Sequence, residues 1–134
     1  MGASLDAADR RFLALFGDAL ARIPPGTFPV TTVSSVRLQS RGAKEGLAGL
    51  THWIYNDGSL HKGRQTISFY SELLDHLSDP GYLGVIVHEL AHAWLNEHLA
   101  PEESPRRESE ADELARTWGF EGELQALESE TEPV

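Results

Sequence analysis

The sequence predicts an α+β fold in a single domain spanning residues 1–134, built from a small three-stranded sheet between helical segments. Three observations carry that expectation. Apolar residues recur at three- and four-residue spacings near both ends of the chain, β-branched and aromatic runs occupy the middle, and 134 residues suit one hydrophobic core.

Residues 4 to 22 place Leu5, Phe12, Leu15, Phe16 and Ala19 on one helical face, continued by Ile23, behind Ser4 as a cap. Pro24-Pro25-Gly26 stops that helix. Val30 to Leu38 alternates in character and suits a strand, and Gln39 to Gly49, with three glycines, reads as a loop. His52 to Asn56 and Gln65 to Tyr70 predict a hairpin, with Asp57-Gly58 and Lys62-Gly63 in its connection. Ser71 to Leu77 predicts a short helix, and Ser78-Asp79-Pro80-Gly81 a turn. From Tyr82 to about Leu99 runs the most apolar helical segment, ended by Pro101. Ser104-Pro105 starts another helix, with Ser as cap and Pro in the first turn, which stops at Gly119. A short acidic helix from Phe120 to about Glu128 follows, and the last residues fray. Neither an internal repeat nor a low-complexity segment interrupts this order.

Composition narrows the chemistry. The formal charge is −10, from 11 Lys+Arg against 21 Asp+Glu. A nucleic-acid surface needs a basic stripe to displace counterions, and none is visible, so nucleic acid is not an expected partner. The acidity reads first as solubility. With no cysteine in the chain, disulfides, thiolate ligands and a cysteine nucleophile are excluded. Any transition metal must then be held by His and carboxylate. No basic segment followed by an apolar run opens the chain, no stretch approaches a membrane span, and Asp6 stands where a myristoylation signal wants Ser or Thr. The expectation is a cytoplasmic protein with no membrane partner.

His88-Glu89-Leu90-Ala91-His92 is an HExxH sequence inside the apolar helix. At about 100° per residue the two histidines lie roughly 40° apart and one turn along, so both imidazoles leave one face and can share a zinc ion. Glu89 sits on the adjoining face, where a carboxylate can reach the zinc's water without being a ligand, the place for a general base. A shuffle of this composition yields HExxH in roughly 3 chains of 100. The competing reading is a helix with two surface histidines and an ordinary glutamate.

Catalytic zinc takes three protein ligands, so one more must come from elsewhere. Glu108-Ser109-Glu110-Ala111-Asp112 is the best source. With HExxH and this downstream ExxAD, the stretch from about Gly81 to Phe120 resembles the gluzincin metallopeptidases. The resemblance implies a minimal zincin-like domain whose sheet packs with an active-site helix and a glutamate-bearing helix. It implies that Glu108 is the third zinc ligand, that Asp112 orients a ligand imidazole, that of His88, and that Ala111 lets the helices approach. The soluble ImmA/IrrE-type peptidases, which cleave repressors, are the nearer shape, because the CAAX-type peptidases span membranes. The region before Gly81 resembles no particular family. In zincins an edge strand pairs with extended peptide, and Gln65 to Tyr70 is the candidate edge.

Other ligand schemes compete. Glu110 faces away from Glu108, which makes the two alternatives, and only Glu108 has Asp112 four residues on. His98 stands where metzincins place a third histidine, but Leu95 occupies their glycine position, and the only methionine is Met1. A continuing helix points His98 about 120° from His92. Peptide deformylases share HExxH but draw a ligand from cysteine. For an oxyanion stabiliser or substrate contact, Tyr82, His76 and His98 are unranked candidates, each also readable as a packing or surface residue. His52 and His61 have no motif context, and Trp94 and Trp118 fall at apolar helical spacings and read as core.

The functional expectation is zinc-dependent hydrolysis of peptide bonds, with one Zn2+ per chain, a peptide or protein substrate, and water activated by Glu89. The alternative is a non-catalytic, zinc-stabilised regulatory or protein-binding domain. An intact Glu89 argues for the first, since a structural site has no use for a base.

Overall fold

Helix α3, Asp79–His98, is the axis of the fold: Gly81 to Val87, Glu89 to Ala91, Ala93, Leu95 and Asn96 are all buried. A helix apolar on nearly every side has to be wrapped by other elements. In the computed structural model, which describes residues 7–25, 27, 33–39, 49–55, 63–99 and 104–131, the wrapping comes from α1 (Ala7–Arg22), α4 (Pro105–Thr117), α5 (Glu121–Thr131) and a sheet. The class is α+β.

The sheet holds β1 (Val33–Gln39), β2 (Gly49–Tyr55) and β3 (Gly63–Tyr70) in the order β1-β3-β2. β3 pairs in parallel with β1, with Leu38 opposite Phe69, and antiparallel with β2, with Thr51 opposite Ile67. The candidate edge strand, Gln65 to Tyr70, is therefore the central one. The reason is legible in burial: Gln65, Ile67, Ser68, Phe69 and Tyr70 are all buried, so both faces of this strand are covered. β2 has β3 on one side only among the described residues, and one of its faces packs against α3.

Several element bounds differ from the sequence expectation. The glycine-rich stretch expected as a loop ends in strand residues, with Gln39 in β1 and Gly49 in β2. Ser78 to Gly81 is not a free turn but the start of α3: the Ser78 hydroxyl accepts from the Gly81 N–H at 3.3 Å, and Pro80 occupies the first turn. Helix α2 covers only Ser71–Leu74. Ser104 caps α4 by accepting from the Arg107 N–H at 3.1 Å. Gly119 follows α4 at φ 100°, the left-handed conformation that a helix stop requires. The expected cap Ser4, the start of the first strand before Val33, Asp57-Gly58 with Lys62, His61 and Pro101 lie outside the described residues.

Both ends of the chain are tied to the start of α3. From α1, the Arg11 guanidinium donates to the carbonyls of Leu74 and Leu77 and to Asp79 at 3.0 Å, and lies 4.7 Å over the Tyr82 ring. From α5, Glu130 accepts from the Ser78 N–H at 2.8 Å. Arg22 spans to Glu123 at 2.9 Å and stacks over Phe120, itself fully buried. Gln65 of β3 donates to the Ala93 carbonyl at 2.9 Å and accepts from Asn96 at 3.1 Å, a buried polar link between sheet and helix. Among the described residues no helix is long and apolar enough to cross a membrane.

α3 and α5 meet at Gly84, where an added Cβ would lie 2.7 Å from the Glu123 carbonyl oxygen. Backbone cannot step aside as a side chain can. Gly84→Ala is expected to destabilise by about 1–3 kcal/mol in urea unfolding despite alanine's better helix propensity. Gly17, mid-helix in α1 with nothing within 4 Å of such a Cβ, is the converse case, and Gly17→Ala is expected to stabilise by about 0.5–1 kcal/mol.

Candidate metal centre

The two histidines project from the half-buried flank of α3 that faces α4, where the helical spacing of one turn sets their rings edge-on with centroids 4.6 Å apart. Their Nε2 atoms are 3.1 Å apart. Glu108, in the first turn of α4, brings Oε2 to within 3.4 Å of His88 Nε2 and into contact with His92 Nε2. The three ligand atoms lie within 4.8 Å of one another, and the group can hold a metal ion. For bonds of about 2.0 Å a tetrahedral ion sets its ligand atoms about 3.3 Å apart; the two separations from His88 Nε2, 3.1 and 3.4 Å, match that, whereas His92 Nε2 and Glu108 Oε2 touch and have to part to admit an ion. Two imidazoles and a carboxylate are also a donor set suited to zinc.

Asp112 is one turn beyond Glu108, and its Oδ1 is 2.8 Å from His88 Nδ1. That hydrogen bond turns Nε2 of His88 toward Glu108 and makes the ligand nitrogen more basic. Ala111, fully buried between Glu108 and Asp112, keeps α4 close to α3. Glu110 is turned to its own helix and pairs with Arg107 at 3.0 Å, which leaves Glu108 as the carboxylate of the group. The imidazoles are 18% and 14% exposed and Glu108 58%, so the group opens to solvent on the α4 side.

Without a metal, a proton balances these carboxylates. Burial opposes charge on His88, but hydrogen bonds to Asp112 and Glu108 and the field of Glu89 outweigh it and raise the imidazole to about 10. The hydrogen bond with His88, opposed by some desolvation and aided by His92, lowers Glu108 to about 2. His92 touches the same carboxylate.

Glu89 is buried, 7% exposed, on the β2 side of α3. Its Oε1 accepts from the Thr51 hydroxyl at 2.6 Å, and Gly49 lies against its Cγ. Neither Thr51 nor Gly49 stands out in the sequence, since both reach Glu89 only through strand packing. The three candidates for an oxyanion or substrate contact are not drawn into the group. Tyr82 is fully buried, its hydroxyl has no partner among the described residues, and desolvation, only partly offset by Arg11, pushes it up to about 12. Its large ring fills the core beneath Arg11. His76 is exposed before the start of α3, at the opposite end of the helix from His92. His98 stacks on Trp94 at 4.0 Å and bonds the Trp94 carbonyl through Nδ1, so its ring is held on the Trp94 side. Trp118 is buried as expected, and Trp94 packs partly buried against the core.

No protein-family model, curated protein or solved structure matches the chain. The class of the site therefore rests on its own geometry, a His-His-Glu group with a carboxylate behind one imidazole.

Four outcomes test these electrostatics, the first two read by unfolding across pH. His88 sits above its ordinary value of 6.5, so its contribution to the stability of the metal-free protein is complete below pH 6.5 and is lost as pH rises toward 10. Glu108 sits below 4.5, so its contribution is complete above pH 4.5 and is lost as pH falls toward 2. A metal ion taken up by this group has to displace the proton, and calorimetry with zinc at pH 7 in buffers of different ionisation enthalpy is expected to show release of about one proton per ion bound. A proton-neutral titration would mean that the imidazoles are already free. Asp112→Ala is expected to weaken zinc binding about 10- to 100-fold in competition with a chromophoric chelator.

Proposed function

We propose that this chain is a zinc-dependent hydrolase of peptide bonds, a minimal zincin-like domain of the gluzincin kind, with His88, His92 and Glu108 as ligands and Glu89 as general base. One observation carries the reading: ligand atoms from two helices converge within 4.8 Å, while Asp112 occupies the far nitrogen of His88. An exposed acidic helix with no ligand role has no reason to spend both carboxylates on the same imidazole.

Zinc, when bound, supplies Lewis acidity to the scissile carbonyl and to the attacking water. Glu89 then takes a proton from that water and delivers it to the leaving amine, so that amide and water become acid and amine. Asp112 keeps His88 in the tautomer whose Nε2 lone pair is free for the ion. Burial of Glu89 in a wall of helix and strand strengthens its electrostatic effect on the reacting atoms. The peptide itself is proposed to pair along β2, whose second edge carries no strand among the described residues and which lies against α3. That role passes to β2 from Gln65 to Tyr70, now enclosed between two strands.

The test begins with elemental analysis of protein purified without added metal. About one zinc per chain is expected in the wild type and much less in Glu108→Ala. Glu89→Gln is expected to retain zinc and to lose hydrolysis of a peptide library by 100-fold or more, on the order of what general-base catalysis contributes. Zinc retained together with full activity in Glu89→Gln would remove the base from its role; zinc with no activity in the wild type would favour a metal-stabilised binding domain.

A further inference from the structure

A buried carboxylate has to be held by something, and in this fold the holder comes from the sheet. Thr51 and Gly49 are two residues apart on β2 and therefore face the same way, toward α3. The Thr51 hydroxyl donates to Glu89 Oε1 at 2.6 Å, in the range of a charge-assisted O–H···O bond, with the Glu89 carbonyl a more distant acceptor at 3.3 Å. A Cβ on Gly49 would meet Glu89 Cγ at 3.0 Å, Val85 Cγ1 at 3.2 Å and Glu89 Oε2 at 3.3 Å. Glycine thus leaves the notch in which the glutamate stem lies, between Val85 and the strand.

We propose that Thr51 and Gly49 are positioning residues for the Glu89 base: the hydroxyl pins Oε1, the notch sets the stem, and Oε2 is the oxygen left to take a proton. The inference rests on the metallohydrolase reading and deepens it. A free glutamate side chain samples several rotamers, and the cost of ordering it is met here by a hydrogen bond and by packing on a rigid strand. The same strand is the one proposed to pair with peptide, so base and substrate are fixed in one frame.

A purely structural tether would change stability alone, so the experiment reads the base through a small ligand. Acetohydroxamic acid would give up its hydroxyl proton on binding a zinc-loaded centre held by His88, His92 and Glu108, and on this proposal Glu89 would take that proton. Its affinity for the zinc-loaded full chain is measured by calorimetry, beside zinc affinity by chelator competition and thermal unfolding. Thr51→Val is expected to weaken acetohydroxamate about fivefold or more with zinc affinity within about twofold of wild type, and Thr51→Ser to restore it, as loss and return of one hydrogen bond to a charged group require. Gly49→Ala, which presses on the carboxylate from its other side and removes no hydrogen bond, is expected to weaken the same ligand and keeps the question open to an answer if Thr51→Val does not fold. Wild-type affinity for acetohydroxamate in folded, zinc-loaded Thr51→Val or Gly49→Ala overturns the positioning role alone. Unchanged affinity in Glu89→Gln overturns the base, and a wild type that takes up no zinc overturns the metal reading from which both derive.

Discussion

Burial of α3 on almost every side is the constraint to which the other elements answer. A helix of 20 residues is about 30 Å long, and one whose Gly81 to Val87 stretch is wholly buried cannot be left to solvent. α5 closes over its first half through the glycine contact at Gly84, α1 is fastened to its start by Arg11, and β2 and α4 flank its second half. The functional groups emerge where that wrapping is incomplete. His88 and His92 are the residues of the helix's middle that stay half-buried beside fully buried neighbours, so the packing that stabilises the fold also aims the imidazoles.

The electrostatics of the centre follow from the same arrangement. Two imidazoles face two carboxylates across the α3–α4 contact, in a chain that already carries net charge −10. Such a cluster has to bind a cation of some kind, a proton or a metal, because an unbalanced pair of carboxylates at a half-buried helix contact is costly. The raised His88 and lowered Glu108 are the proton's version of that balance. A divalent ion would meet the same demand with more charge, once His92 and Glu108, now in contact, move apart to receive it.

Glu89 belongs to the other side of the helix-sheet contact. One step around α3 from His88, it leaves the flank that faces α4 and enters the seam with β2, where Thr51 and Gly49 receive it. The helix thus presents its two imidazoles to α4 and its carboxylate to the strand. This division requires β2 on the outside of the sheet against α3, with β3 taking the covered central place.

Much of this was written in the local sequence. HExxH spacing puts two histidines on one face because helical geometry is local, and the cap Ser104, with Pro105 in the first turn, marks the start of α4 for the same reason, whereas Ser78 with Pro80, expected as a turn, begins α3. The Glu108–Asp112 spacing allowed one carboxylate to meet both imidazoles at Nε2 and the other to bond Nδ1 of His88. Tertiary structure decided what depends on distant partners. It turned Glu110 to Arg107 while Glu108 met the histidines, sealed Tyr82 under Arg11, and made Gln65 to Tyr70 a central strand. It also brought Thr51, 38 residues away in sequence, to Glu89. Periodicity reports which face of an element is apolar, but not which other element covers that face, and so the spacing of His88 and His92 was determined by the sequence while the seat of the Glu89 carboxylate was determined only by packing.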